Sequence, residues 1–291
     1  RPAEAPGGPW ENRGMTLPTY VTASAALHAA AGAALLLAPN AWPWALGAIG
    51  ANHLVLTGAG LWPRSRLLGR NWTRLPEPAA ARREIAITID DGPDPEVTPA
   101  VLDLLDAHRA RATFFAIGSA AVRHGALCRE IVRRGHSLQN HSDRHSHAFS
   151  VLGPRALARE IGAAQARLAD VAGVAPRFFR APAGLRNPFL PIVLDRLGLE
   201  LVSWTRRGYD TVRREPARVL ARLCDGLGGG DILLLHDGHA ARTEAGQPVV
   251  LAVPPALLER IAAAGLRPTT LADALPAPGR VGAKRLAAAS R

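Results

Sequence analysis

Two adjacent aspartates follow an apolar stretch in the segment ITIDDGPDP, residues 87–95. Each carboxylate makes the other harder to ionise, so each needs a positive partner of its own. A divalent cation on one carboxylate and an arginine beside the other would meet that need. An acidic turn is the alternative, because Asp, Gly and Pro are all common in turns. The pair therefore indicates either a turn or part of a metal-dependent acid/base site.

Two histidines lie four residues apart in the segment HSDRH, residues 141–145. If this segment turns helically, His141 and His145 can share one metal ion. Histidine and carboxylate ligands with an open coordination position suit zinc or a similar transition ion. The alternative is a histidine-rich surface loop, since His147 follows directly.

Three more polar residues each follow a strand-like stretch. Arg180 comes after two phenylalanines, Asp210 lies beyond a run that ends in Trp204, and His236 ends the segment DILLLH. A histidine at such a position is suited to act as a general acid, because its pKa lies near neutrality. A satisfied core histidine and a solvated arginine are the alternatives at these positions.

Alternating strands and helices must bring these residues together. The strand-like runs span residues 84–90, 111–118, 136–142, 177–182, 199–205, 231–237 and 266–272. Helix-like runs with apolar residues three and four apart span residues 98–109, 122–135, 153–173, 215–227 and 254–265. This alternation predicts a parallel sheet, closed as a barrel or doubly wound. In a barrel, all the reactive positions would lie on the rim formed by the carboxyl ends of the strands.

Five segments in this order, TIDDGPD, HSDRH, RAPAG, WTRRGYD and LLLH, resemble the motifs of the polysaccharide deacetylase (NodB-like) family. The resemblance covers residues 84–275. It implies an α/β fold, a distorted (β/α) barrel of about seven strands, and metal-dependent removal of an N-acetyl or other N-acyl group from amino sugars. It also implies one divalent ion, zinc first with cobalt, manganese or nickel as alternatives, bound by Asp91, His141 and His145.

The resemblance implies further roles in catalysis. Asp90 and the metal would activate water, with Arg180 as the positive partner of Asp90. His236 would protonate the departing amine, and Asp210 would orient His236. The expected substrate-pocket residues are Trp204, Leu234, Pro182 and Gly184.

The fourth motif departs from the family pattern. The family often shows an Asp-x-x-Asp-Trp ending, whereas this chain reads RGYDT at residues 207–211. Asp210 matches the retained acid, while Arg207 and Thr211 replace its usual companions. The resemblance therefore does not predict the shape of the sugar subsite.

The chain carries no Asp, Glu, Lys or Arg between Gly14 and Pro63. Within this stretch, residues 18–39 and 42–63 are each about as long as a bilayer-spanning helix, with Tyr and Trp near their ends. We predict an N-terminal segment 1–75 containing a hydrophobic hairpin of two transmembrane helices, 18–39 and 42–63. A catalytic domain, 76–276, and a basic tail, 277–291, follow. A buried hairpin of a soluble protein is the alternative.

The predicted location is the inner (cytoplasmic) membrane of a bacterium. Arginines on both sides of the hairpin would place the catalytic domain in the cytoplasm, and on the opposite side if only one helix spans. Whether residues 1–14 belong to the mature protein is left open, because Met15 is the only methionine.

The net charge of +11 comes almost wholly from arginine. These arginines do not gather with aromatic residues, so no nucleic-acid partner is expected. Cys128 and Cys224 form no CxxC, which disfavours a zinc knuckle or a disulfide framework. Three functions remain open: an N-deacetylase of a glycan, a deacylase or deformylase of a membrane lipid-linked amino sugar, and an inactive, membrane-tethered sugar-binding module.

Overall fold

The protein is represented by a computed structural model that describes residues 18–275. The predicted basic tail and residues 1–14 lie outside the described part. The helices are α1 Thr19–Leu37, α2 Trp42–Leu61, α3 Glu77–Ala81, α4 Thr98–Ala107, α5 Gly118–Arg123, α6 Gly125–Arg133, α7 Pro154–Ala172, α8 Leu190–Arg196, α9 Pro216–Cys224, α10 Val249–Ala252, α11 Pro254–Ala263 and α12 Leu271–Ala274. The strands are β1 Glu84–Asp90, β2 Ala112–Ala116, β3 Ser137–Asn140, β4 Phe178–Phe179, β5 Glu200–Leu201, β6 Arg206–Arg207, β7 Ile232–His236 and β8 Arg267–Thr269.

All eight strands belong to one parallel sheet. The order is β5-β4-β3-β2-β1-β7-β6, and β8 pairs with the first half of β1. Each of the seven predicted strand segments contains one of these strands, so the predicted α/β barrel architecture is confirmed. The remaining strand, β6, was not predicted, because it consists of two adjacent arginines and has no apolar residues. Its pairing with β7 places Arg207 opposite Leu234.

The sheet curls into an incomplete barrel whose gap lies between β5 and β6. The chain that follows α2 runs along β5 at this gap. There the Trp72 amide donates to the Leu201 carbonyl at 3.0 Å, and the Ser203 amide donates to the Trp72 carbonyl at 2.8 Å. The N-terminal segment therefore contributes to the barrel wall.

Residues of β1 alternate between two cores. Ile85, Ile87 and Ile89 pack outward against the helices, whereas Ala86 packs into the barrel interior. Because side chains alternate across a strand, Asp90 also points into the barrel. This alternation delivers a buried carboxylate to the carboxyl end of the central strand.

One predicted helix differs from the structure. The segment 122–135 forms the end of α5 and all of α6, and the two helices meet at His124, where φ is −123° and ψ is 43°. Gly125 follows directly, and glycine costs about 1 kcal/mol relative to alanine inside a helix. The break therefore falls where helix propensity is lowest.

Helices α1 and α2 form the predicted hairpin, with the Asn52 side chain donating to Ser24 Oγ at 2.8 Å. Within residues 18–275, only α1 is long and apolar enough to cross a membrane, with a mean hydropathy of 1.5. The run 42–63 forms a helix but does not meet this criterion, because Asn52, His53 and the tryptophans lower its hydropathy. Membrane anchors and signal sequences both contain helices such as α1.

Arg186 connects the hairpin to the barrel. Its Nη2 donates to the carbonyls of Trp62 at 3.2 Å and Ser65 at 2.9 Å. Burial lowers the pKa of Arg186 to about 10. An arginine held only by carbonyl oxygens thus fixes the end of α2 against the loop that follows β4.

His136 is a buried histidine at the start of β3, outside the reactive rim. Its Nδ1 accepts a hydrogen bond from the Ala112 amide at 3.2 Å. Its ring meets the Phe114 ring edge to face, with 5.6 Å between centroids. Burial lowers the pKa of His136 below its ordinary value of 6.5, because protonation would destroy the acceptor and charge a desolvated ring.

We expect this histidine to make the fold less stable in mild acid. Below about pH 6.5 the unfolded chain binds a proton that folded His136 excludes. The free energy of unfolding therefore decreases as the pH is lowered. Each pKa unit of lowering corresponds to about 1.4 kcal/mol. His136→Phe keeps the aromatic contact and removes the titration, so its unfolding free energy should fall less between about pH 7.5 and about pH 5. His108→Gln, at an exposed position, should retain the wild-type slope, and a wild-type slope in His136→Phe would contradict the prediction.

Candidate active site

Asp90 is buried at the carboxyl end of β1, beside a fully buried arginine. Its Oδ1 accepts from Arg180 Nη1 at 2.7 Å. Arg180 also donates to Thr88 Oγ1 at 2.7 Å and to the Ser203 carbonyl at 2.8 Å, and its guanidinium lies 4.1 Å from the Phe115 ring centroid. These partners fix the orientation of the Asp90 carboxylate. Asp90 therefore has the positive partner that the sequence required of it.

Asp91 lies in the next position, outside the barrel interior, and faces two imidazoles. Its Oδ1 is 3.2 Å from Nε2 of His141 and 3.2 Å from Nε2 of His145. Ligand atoms of the three side chains all lie within 4.8 Å of one another. The backbone φ angles of Asp91 and His145 are +76° and +51°, a region that costs free energy for residues other than glycine. The structure thus brings the three predicted ligands, Asp91, His141 and His145, into one group, which we call the metal-ligand group.

This group fits a divalent cation. His141 Nδ1 donates to the Arg180 carbonyl at 2.8 Å, which leaves a lone pair on Nε2 directed at Asp91. A lone pair and a carboxylate oxygen 3.2 Å apart repel each other unless a cation or a proton lies between them. Asp91 Oδ1 is buried and has no hydrogen-bond partner among the described residues. One carboxylate oxygen and two imidazole nitrogens form a donor set suited to zinc or a similar ion.

The charges of the group shift its pKa values. Burial raises the pKa of Asp91, but the adjacent imidazoles of His141 and His239 outweigh burial, so the pKa lies below its ordinary value. Burial lowers the pKa of His141, but Asp90 and Asp91 outweigh burial and raise it. A proton and a metal ion therefore compete for the position between these side chains.

The segment 141–145 is a loop, so the two histidines come together without the helical turn that was the stated condition for sharing an ion. Its imidazoles meet, with 4.9 Å between ring centroids, because the backbone φ is positive at Ser142 and His145. Asp143, in the middle of this loop, has a buried side chain whose Oδ1 pairs with Arg167 Nη1 at 2.8 Å. This ion pair holds the loop against α7. His147 is exposed and belongs to no described contact of the group.

His236 ends β7 directly opposite Asp90 in the sheet register. Its Nδ1 lies 2.9 Å from Asp210 Oδ1, and its backbone amide donates to Asp210 Oδ2 at 2.7 Å. Burial lowers the pKa of His236, but the adjacent Asp210 charge outweighs burial and raises it. With Nδ1 donating to Asp210, the Nε2 of His236 is left to exchange a proton with a substrate.

The predicted pocket residues lie inside the barrel mouth. Trp204 and Leu234 are buried members of one apolar cluster, and Arg180 Cζ lies 5.8 Å from the Trp204 ring centroid. Pro182 begins a buried turn that ends at Gly184, whose φ is +74°. A Cβ at Gly184 would lie 2.6 Å from Trp204 Cη2, so only glycine permits this approach. The apolar surface next to Asp90 and Arg180 therefore has the character needed for a small methyl group.

Sequence reasoning missed His239. Its Nδ1 lies 3.5 Å from Asp91 Oδ2, and its ring centroid is 6.4 Å from that of His145. His147, which directly follows the second motif in the sequence, does not occupy this place. No sequence pattern pointed to His239; the structure shows that Gly238 packs so closely on the Asp91 carbonyl that a Cβ would collide with it. That close approach brings the residue after Gly238 next to the metal-ligand group.

Comparison with known proteins agrees with this geometry. The family model for polysaccharide deacetylase matches residues 78–202, a range that includes Asp90, Asp91, His141, His145 and Arg180. A chitooligosaccharide deacetylase of Azorhizobium caulinodans is 36% identical over 155 residues, which cover 53% of this chain and 73% of that protein. A peptidoglycan-N-acetylglucosamine deacetylase of Bacillus cereus is 33% identical over 162 residues, 55% of this chain and 75% of that protein.

A solved structure shows the same similarity. The family 4 carbohydrate esterase from Streptomyces lividans in complex with acetate is 30% identical and superposes with a TM-score of 0.57. The superposition covers 64% of this chain and 91% of the esterase.

Proposed function

Because the chain belongs to the polysaccharide deacetylase family, we propose that it hydrolyses the N-acetyl amide of an N-acetylglucosamine-containing glycan. The observation that carries this proposal is the register of β1 and β7. It sets Asp90 and His236 opposite each other at the rim where Asp91, His141 and His145 converge. A base and an acid on two sides of one candidate metal group are what amide hydrolysis requires.

Asp91, His141 and His145 would hold the divalent ion, zinc first with cobalt, manganese or nickel as alternatives. When bound, such an ion supplies Lewis acidity to an amide carbonyl and to water. The carboxylate and the two Nε2 atoms provide the donors, and the Arg180 carbonyl keeps the His141 ring in the required tautomer.

Asp90 is suited to take the proton of the attacking water. Arg180 occupies its Oδ1, so Oδ2, which lies 3.8 Å from His141 Nε2, is the oxygen that faces the metal-ligand group. As the water oxygen bonds to the amide carbon, one water proton passes to Asp90 Oδ2. Arg180 keeps the carboxylate aligned throughout and is itself too constrained to move.

His236 is suited to protonate the leaving nitrogen. Its Nδ1 hydrogen is directed at Asp210, so Nε2 can deliver a proton when the carbon–nitrogen bond breaks. The products are acetate and the free amino sugar. Trp204 and Leu234 would cover the acetyl methyl group. All these acid, base and orienting residues are present, which disfavours the inactive sugar-binding module.

We further propose that the hairpin within segment 1–75 anchors the catalytic domain, 76–276, to the inner membrane of a bacterium. Support comes from large apolar side chains that the fold leaves exposed on α1 and α2: Leu36, Leu37, Trp44 and Leu54. A reporter enzyme fused to the C-terminus would determine the side of the membrane. Release of the intact chain by high salt without detergent would contradict the anchor.

The activity is tested on the full chain in detergent after metal removal with a chelator. Acetate release would be measured from N-acetylated glucosamine oligomers and formate release from N-formylated ones, with and without added zinc or cobalt. We expect metal-dependent acetate release. Formate release from an N-formylated sugar in place of acetate would support the deformylase alternative, and a folded, metal-loaded protein that releases neither acid would contradict the proposed activity.

His145→Ala is expected to weaken zinc binding by about 100-fold and to abolish metal-dependent activity. Loss of a residue that only hydrogen-bonds to a metal ligand already weakens metal binding by up to about 100-fold. The His145 side chain provides one of only three donors in the group. Zinc content after dialysis, measured by atomic spectroscopy, checks the prediction independently of turnover. His147→Ala is the matched control, because His147 is exposed in the same loop. Equal zinc retention in the two variants would contradict the ligand assignment.

A further inference from the structure

A cavity of about 1070 Å³ lies outside the predicted catalytic residues, next to Trp204 and strand β6. Its wall includes five arginines: Arg64, Arg206, Arg207, Arg222 and Arg260. One aspartate, Asp225, lines it as well. We call this space the arginine cavity.

Most of this positive charge is not neutralised. Arg206 Nε pairs with Asp231 Oδ2 at 2.6 Å. The other four arginines form no ion pair with a carboxylate among the described residues, and the one described side-chain hydrogen bond of Arg64 goes to the Thr205 carbonyl at 3.3 Å. The five arginines and Asp225 give the lining residues a net charge of +4. A concave wall with this charge attracts polyanions.

Two of the arginines contact the same aromatic ring. The guanidinium carbons of Arg207 and Arg222 each lie 4.9 Å from the Tyr209 ring centroid. Arg207 also lies 5.5 Å from the Trp204 ring centroid. The rings position both guanidinium groups at the cavity wall, where their N–H groups can bind an anion.

Arg207 carries an additional unsatisfied donor. Its Nε is buried and has no hydrogen-bond partner within residues 18–275. Leaving a buried donor unpaired is unfavourable. A ligand oxygen in the cavity would satisfy this donor. Arginine forks match phosphate oxygens well, and a phosphate or pyrophosphate balances a charge of +4 better than one carboxylate does.

The position of the cavity links it to both the catalytic site and the hairpin. Trp204 lines the cavity and also packs near Arg180, the partner of Asp90. Trp62 and Arg64, which follow α2 directly, line it as well, and Arg64 donates to the carbonyl of Thr205 beside Trp204. A sugar with its N-acetyl group in the Trp204 pocket can therefore direct a neighbouring substituent into the cavity, toward the end of the hairpin.

We propose that the arginine cavity is a subsite for a phosphate or pyrophosphate group carried by the amino-sugar substrate. This inference rests on the proposed deacetylation, because it assigns the substrate class for the same catalytic site. The phosphate can belong to a soluble sugar phosphate or to a sugar linked to a lipid carrier. The exposed apolar hairpin next to the cavity favours the lipid-linked form.

The test compares three substrates with the metal-loaded full chain in detergent: a neutral N-acetylglucosamine oligomer, N-acetylglucosamine 1-phosphate, and N-acetylglucosamine on a lipid pyrophosphate. We expect kcat/KM to be about 10- to 100-fold higher for the phosphorylated substrates, the range for one or two charged hydrogen bonds. Arg207→Gln with Arg222→Gln should remove most of this preference through KM. Arg222→Gln alone changes an exposed residue and leaves the partly buried Arg207 in place, so it should remove part of the preference.

Arg218→Gln is the matched control, because Arg218 is exposed on the same helix, α9, and does not line the cavity. It should retain wild-type values for all three substrates. Equal kcat/KM of the wild type for neutral and phosphorylated substrates would overturn the subsite, as would an unchanged preference in the double variant. A preference for the lipid-linked over the soluble phosphate supports a lipid carrier, and equal values support recognition of the phosphate alone.

Failure of the proposed activity would be recognised separately, as no acetate from any substrate. Calorimetric titration of the same protein with N-acetylglucosamine 1-phosphate then tests the cavity without turnover. Binding that the double variant weakens about 10-fold or more supports the subsite. Binding that the double variant leaves unchanged overturns it.

Discussion

Asp90→Asn is expected to reduce acetate release by about 10²- to 10⁴-fold, the usual contribution of a general base. Asparagine has nearly the same shape but cannot accept the water proton. The metal-ligand group should survive, because Asp91, His141 and His145 make their mutual contacts without Asp90 Oδ1. The measurement is kcat for a preferred substrate together with zinc content of the purified variant.

The same substitution affects stability, and this effect must be separated from catalysis. Arg180 is fully buried, and removal of the Asp90 charge leaves its guanidinium without a counter-charge. Breaking a buried pair in this way costs about 3–5 kcal/mol. The cost should be at the low end here, since asparagine still offers an oxygen to Arg180 Nη1 and the bonds to Thr88 and Ser203 remain. Thermal unfolding of the variant gives this quantity directly.

Asp94→Asn is the matched control, in the same turn. The Asp94 carboxylate accepts from the Glu96 and Val97 amides and does not touch the metal-ligand group. Its replacement should change stability little, because asparagine retains the accepting oxygen and caps about as well as aspartate, and should leave kcat near the wild-type value. Full activity in Asp90→Asn, with folded and metal-loaded protein, would remove Asp90 as the base.

Much of the site could be predicted because it follows strand periodicity. Alternation along β1 determines that Asp90 points into the barrel while Ile89 points out. Parallel pairing of β1 with β7 places His236 opposite Asp90 at the same end of the sheet. The pairing of Asp90 with Arg180 was also predictable in kind, since a buried carboxylate next to a second one needs a positive partner. These features depend on local pattern and on one topological rule.

Other features depend on tertiary approach and had no sequence pattern. His239 reaches Asp91 only because Gly238 packs on the Asp91 carbonyl. A helical turn was the condition under which His141 and His145 could share an ion, but residues 141–145 form a loop that the Asp143–Arg167 ion pair holds against α7. The arginine cavity combines Arg64 from the N-terminal segment with Arg207 and Arg222 from the barrel, and no single stretch of sequence contains it.

Asp210→Asn is expected to lower kcat by about 10²- to 10⁴-fold through His236. The carboxylate accepts both from His236 Nδ1 and from its backbone amide. Asparagine has one acceptor oxygen, so one of these donors would face an NH₂ group. The imidazole would then favour the wrong tautomer or rotate away, which is the effect of the same change in Ser-His-Asp triads.

The pH dependence gives a readout that a purely structural role would not change. The Asp210 charge raises the pKa of His236 against the effect of burial. Without that charge, only Asp90 and Asp91 oppose the effect of burial, so the pKa of His236 falls. Because a general acid must be protonated, the decline of kcat on the basic side should move to lower pH in Asp210→Asn. An unmoved basic limb would contradict the assignment.

Non-additivity provides the strictest test of this pair. If Asp210 acts only by orienting and charging His236, then Asp210→Asn in a His236→Gln background should cause no further loss, because the group it serves is already absent. The three variants are compared by kcat at saturating substrate, with zinc content measured to exclude metal loss. Losses that multiply would show that Asp210 contributes by a route independent of His236, and the acid would then have to be sought elsewhere on the rim.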